Sequence, residues 1–130
     1  MEIEIVTRSV KRKFVLENAT KFLRKELKLE KSKYALTVYN APGLRKREGF
    51  NGICSKVGDR EIVIIVDGGL GECDLIQCIA HEMVHHRQFE QGKLSVRPPD
   101  IGGEIEDEAN AVAGQIIKLF SKEDQTIYDE

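Results

Sequence analysis

The run Glu61-Ile62-Val63-Ile64-Ile65-Val66-Asp67 contains five consecutive β-branched residues. Branching at Cβ restricts χ1 and crowds a helix, yet packs well on a pleated surface. This run is therefore the strongest strand in the chain, and the fold has to build a sheet around it. Gly68-Gly69-Leu70-Gly71 follows as a flexible joint. A long helical pattern comes next. Asp74 is placed to cap it, with Gln77 as the capping-box partner, and Gly92 is placed to stop it after about five turns.

The flanking sequence supplies the other elements. Val10, Phe14, Ala19, Phe22, Leu23 and Leu27 recur at helical spacing, which predicts a helix over 10–29. Tyr34 to Asn40 alternates as a strand and ends at the turn Ala41-Pro42-Gly43. Leu44 to Glu48 is expected as an exposed charged loop. Gly49 to Val57 is a strand diluted by glycine, joined to the β-branched run by a turn at Gly58-Asp59. Lys93 to Gly103 reads as a loop. Ile105, Ala109, Val112, Ala113, Ile116, Ile117 and Phe120 form the apolar face of a final helix from Glu104 to Phe120. The expected fold is α+β: an N-terminal helix, a small three-stranded sheet, a central helix and a glutamate-bearing helix. It forms one domain over 1–120, followed by an acidic tail over 121–130.

Composition narrows the class. At 130 residues, 41% hydrophobic and 32% charged, the chain has the make-up of one globular domain. A net charge of -2 predicts no general attraction to nucleic acid or to an acidic membrane. Lys11-Arg12-Lys13 is expected on the solvated side of the first helix. Met1-Glu2-Ile3-Glu4-Ile5 is acidic and short, unlike a signal peptide, and no apolar run approaches a membrane span. Cys54, Cys73 and Cys78 make an odd count without a disulfide pattern, which favours a reducing, cytoplasmic setting. A monomer is expected.

The central helix carries His81-Glu82-Met83-Val84-His85, an H-E-x-x-H sequence. Residues four apart share a helix face, so both imidazoles can aim at one Zn²⁺ ion. Glu82 is turned about 100° away and can work as a base beside the metal rather than as a ligand. Catalytic zinc usually takes three protein ligands. His86 neighbours His85 and points elsewhere. Cys78 lies three residues before His81, but a small thiol there is more often core. Carboxylates are the better source. Glu104, Glu106 and Glu108 open the final helix, and Glu106 borders its apolar face. The order of preference is Glu106, Glu108, Glu104. Asn110, one turn after Glu106, is placed to hydrogen-bond a liganding histidine.

These residues resemble a family pattern. H-E-x-x-H on one helix, joined by E-x-x-A-N on the next (Glu106-Asp107-Glu108-Ala109-Asn110), is similar to the gluzincin metallopeptidases. Twenty residues lie between His85 and Glu106, a separation similar to that of thermolysin-like enzymes. The size resembles the minigluzincins. The resemblance covers mainly 61–117. It implies a zinc-dependent endopeptidase acting on peptide or protein substrates, with His81, His85 and Glu106 on the metal and Glu82 as general base. It also implies that the strand before the active helix is a sheet edge, where Val63, Ile64 and Ile65 would bind an extended substrate by main-chain hydrogen bonds. Thermolysin-like enzymes add a downstream histidine and tyrosine, and no histidine follows His86 here. Tyr128, Tyr39 and Arg97 are the available substitutes. The acidic tail, with Asp124, Tyr128, Asp129 and Glu130, is expected to be disordered, the alternative being that it folds back to cover the metal in a latent form. The competing expectation is a zinc-stabilised regulatory or binding module with little hydrolytic activity.

Overall fold

The computed structural model describes residues 2–94 and 103–123, with side chains as far as Leu119. The chain runs β1 (Ile3–Val6), α1 (Val10–Glu26), β2 (Ala35–Ala41), α2 (Leu44–Glu48), β3 (Gly52–Gly58), β4 (Glu61–Asp67), α3 (Glu72–Glu90) and α4 (Gly103–Glu123). It is a mixed α/β arrangement with one sheet in the order β1-β2-β4-β3.

The sheet has four strands, one more than expected. The additional strand is β1, whose four residues pair in parallel with β2 from Ile3 opposite Leu36 to Val6 opposite Tyr39. Its alternation, Glu2-Ile3-Glu4-Ile5, was present in the sequence but too short to stand out from an acidic terminus.

The β-branched run forms β4 with the expected bounds, but it is not an edge. It pairs in parallel with β2 on one side and antiparallel with β3 on the other. Val63, Ile64 and Ile65 thus have their main-chain groups committed within the sheet, and no peptide can add there. Ile64 is fully buried beneath the helices. Uninterrupted β-branched runs mark interior strands, whereas edges tend to be short, charged or interrupted by glycine. The strand on the α3 side whose outer edge has no strand partner among the described residues is β3, which carries Gly52, Lys56 and Gly58.

One sheet face is covered by α1 and α3. Ile5, Leu36, Val38, Cys54, Ile62, Ile64 and Val66 meet Leu16, Ala19 and Leu23 of α1 and Leu75, Ile76, Ile79 and Met83 of α3. Helix α4 packs mainly on α3 and adds Ala109, Ala113, Ile116 and Ile117 to this core. Ser9 caps α1 by accepting a hydrogen bond from Arg12 N. Arg12 is not free on the solvated side, because its guanidinium donates to the Leu70 carbonyl in the joint before α3. The expected loop at Leu44–Glu48 is a short helical turn, held where Asp67 accepts a hydrogen bond from Arg45 N and closed over buried Leu44.

Helix α3 starts two residues earlier than Asp74, with Gly71 as N-cap, so Asp74 is a first-turn carboxylate. It ends at Glu90, and Gly92 follows with φ +76°, the left-handed conformation that glycine adopts without strain. Helix α4 continues to Glu123, past the expected end at Phe120. Arg97 and the tail residues Asp124, Tyr128, Asp129 and Glu130 lie outside the described residues. No helix among the described residues is long and apolar enough to cross a membrane.

Candidate metal centre

Helix periodicity brings His81 and His85 together on α3, with their Nε2 atoms 3.2 Å apart. Glu106, in the first turn of α4, completes the group. Its Oε2 lies 3.1 Å from His81 Nε2 and its Oε1 lies 2.9 Å from His85 Nε2. Among the described residues this is the group of three donors able to hold one metal ion. Zn²⁺ bound tetrahedrally at about 2.0–2.1 Å keeps its donor atoms about 3.3–3.4 Å apart. The observed 3.2, 3.1 and 2.9 Å separations need only a slight opening to match. Two imidazoles and one carboxylate are also a donor set that zinc favours.

A residue not singled out in the sequence fixes the chemistry of His85. Gln88, fully buried one turn further along α3, places its Oε1 2.6 Å from His85 Nδ1. Its Nε2 donates to Ile105 O at 3.0 Å and to Glu108 Oε1 at 2.8 Å. Two acceptors on the nitrogen side settle which end of the amide is which. The Oε1 then faces His85, so His85 Nδ1–H must donate, leaving the Nε2 lone pair directed at the cluster. Burial lowers the pKa of His85, the hydrogen bond to Gln88 and the charge of Glu106 acting against it. The ring is therefore held neutral, as a ligand must be.

The three candidate glutamates separate by role. Glu106 joins the cluster. Glu108 stands behind it, anchored by Gln88 and by Lys93 Nζ at 3.2 Å, and the Gln88 hydrogen bond leads in lowering its pKa. Glu104 is exposed at the helix start. Asn110 is exposed on the cleft side and makes no side-chain hydrogen bond to either histidine among the described residues. The supporting position expected for Asn110 is occupied by Gln88. The spacing Gln88 − His85, one turn along the same face, was the signal for it.

Glu82 is buried, 6% exposed, and its carboxyl is pushed up to about 8, first by burial and then by the charge of Glu106. Gly52 of β3 lies directly over it. A Cβ on Gly52 would stand 2.5 Å from Cys78 Sγ and 3.3 Å from Glu82 Oε2. The free strand edge and the α3 carboxylate are thus brought together by a missing side chain. Cys78 is a neighbour of Glu82, not a member of the donor cluster. Burial and the nearby Glu82 charge raise the pKa of Cys78, and those of Cys54 likewise. His86 points away, as its position predicts. It is fully buried, edge-on to Tyr34 at 6.1 Å, and burial lowers its pKa to about 4.

A cleft of about 660 Å³ opens beside His81 and Glu82. Asp74, Gln77 and Cys78 of α3 form one wall, Asn110, Gly114 and Lys118 of α4 the other, and Asn51 and Gly52 the roof. Tyr39 is not near it. It lies on β2 with the side-chain parity of Thr37, opposite to that of buried Leu36 and Val38, and is 41% exposed.

No protein family, curated protein or solved structure matches this chain.

Proposed function

We propose that this chain is a zinc-dependent peptidase of gluzincin type with a minimal zincin-like fold. The observation that carries the reading is the convergence of His81, His85 and Glu106 donor atoms at 2.9–3.2 Å beside the buried carboxyl of Glu82. His81 Nε2, His85 Nε2 and Glu106 would hold the ion. When bound, Zn²⁺ lowers the pKa of a water toward neutrality and polarises a carbonyl oxygen. Glu82 accepts the proton from the attacking water and passes it to the departing amine. Burial and the charge of Glu106 favour the protonated form of Glu82 in the metal-free site; a bound cation would favour the carboxylate that takes the proton. Gln88 holds His85 in the required tautomer. The extended substrate adds to the free edge of β3, with its scissile bond near Gly52, and a side chain enters the cleft between α3 and α4.

Zinc content and cleavage of a quenched peptide library test the reading on the full chain. The wild type should bind one zinc and cleave. Glu82→Gln should keep the zinc and lose activity by at least about a hundredfold, whereas His85→Ala should lose the metal. Unchanged zinc content in His85→Ala would sink the site. The Gln88–Glu108–Lys93 tie between α3 and α4 also favours a second reading, a zinc-stabilised binding module. That reading prevails if zinc binds, stabilises the fold, and neither wild type nor Glu82→Gln cleaves.

A further inference from the structure

The net charge of -2 conceals a steep division along the chain. Residues 1–60 hold 15 Lys and Arg against 7 Asp and Glu, or +8, while residues 61–130 hold 5 against 15, or -10. Helix α1 lies wholly in the basic part. Its buried residues Leu16, Ala19, Thr20 and Leu23 define the side facing the core. At 100° per residue, Val10, Phe14, Asn18, Lys21 and Lys25 fall within an arc of about 80° centred opposite that side. All five are exposed, Val10 at 85% and Phe14 at 66%. Lys11 and Lys13 flank the stripe and are also exposed. Two acids border it, half-buried Glu17 and exposed Glu4 of β1, which line one cleft with Lys13 and Lys21. Lys11, Lys13, Lys21 and Lys25 form no ion pair among the described residues.

An outward phenylalanine and valine at one end of a lysine-bearing stripe are costly in water and serve no core. We propose that this outer face of α1 docks on an anionic lipid surface. Phe14 and Val10 enter the headgroup boundary, and the lysines lie over the negative headgroups with their alkyl stems along the interface. A second copy pairing through this same face is the wrong occupant, because it would set lysine against lysine. A nucleic acid would satisfy the lysines and stack on Phe14, but it leaves aliphatic Val10 in water, whereas a headgroup boundary takes up both. No residue of α1 lines the cleft beside His81 and Glu82, so docking leaves that cleft open.

The chain contains no tryptophan, so Phe14→Trp in the full chain supplies a sole tryptophan, excited apart from the three tyrosines. Vesicles with roughly 30% phosphatidylserine in phosphatidylcholine should shift its emission to the blue, and pure phosphatidylcholine should not. Sedimentation of the wild type with the same vesicles should follow the same order and reverse at high salt. Replacing Lys13, Lys21 and Lys25 together by Gln should weaken binding about a hundredfold, at about tenfold or less per lysine. These positions are solvent-exposed, and circular dichroism establishes that the variants stay folded. Equal partition onto neutral and anionic vesicles, an unchanged triple variant, or binding to single-stranded polynucleotide without binding to vesicles would overturn the proposal.

Discussion

At the scale of the residue, the histidines illustrate how neighbours divide identical side chains. His85 and His86 are adjacent in sequence and both almost fully buried, yet one faces a carboxylate and the other a tyrosine ring. His85 owes its directed lone pair to Gln88. Gln88→Leu keeps the volume and removes that hydrogen bond, so zinc affinity should fall about 10–100-fold with the fold intact. Competition with a chromophoric chelator measures this, and an unchanged affinity would deny Gln88 its role. His86 makes a different contribution. Neither of its ring nitrogens has a hydrogen-bond partner among the described residues. Its pKa of about 4 when folded lies below the 6.5 of a free imidazole, so between these values the unfolded chain binds the extra proton. Stability is thus fully present above about 6.5 and is lost as pH falls toward 4, by about 3 kcal/mol for a shift of this size. His86→Phe should flatten that dependence, and urea unfolding at pH 5 and pH 7 will show whether it does.

At the scale of the element, β3 is held against α3 by the absence of a side chain at Gly52. Gly52→Ala pushes a methyl into Cys78 Sγ and toward Glu82 Oε2. The expected result is a large loss of peptide cleavage with a smaller loss of thermal stability, measured side by side. A variant as active as wild type would mean that β3 yields easily there. The same strand shows where sequence reasoning stopped. Long elements with one strong period were legible: α1, β4 and α3 fell near their expected bounds, because burial on one side writes a repeat into the chain. Histidine spacing brought His81 and His85 forward, because local helix geometry sets their separation; Glu106 came forward through its place beside the apolar face of the next helix and the E-x-x-A-N likeness, while its distance to the histidines is set by the packing of α4 on α3. Strand order was not legible. Nothing local in Glu61–Asp67 says which partner lies on each flank, and the family likeness pointed to an edge where the pairing is central. Strand β1 and helix α2 were missed because four and five residues carry too few repeats of any period. The Gln88 support was missed because its one-turn spacing from His85 does not distinguish a buried hydrogen bond from a solvated polar side chain.

At the scale of the whole molecule, the donor cluster sits on a seam. The sheet, α1 and α3 share one core, and α4 joins it mainly through α3. His81 and His85 belong to one side of the seam and Glu106 to the other, with the Gln88–Glu108–Lys93 chain crossing beside them. The sheet order has a further consequence, for amide hydrogen exchange. Amides of β4 are bonded on both flanks and covered on one face, so Ile62, Ile64 and Val66 should be among the last to take up deuterium. In β3, by contrast, the amides pointing away from β4 have no strand partner among the described residues and should exchange early. A non-cleavable peptide added to the Glu82→Gln protein should then slow exchange at alternate positions of Gly52–Gly58 and leave β4 unchanged. Strand addition becomes visible in this way without any bond being cut.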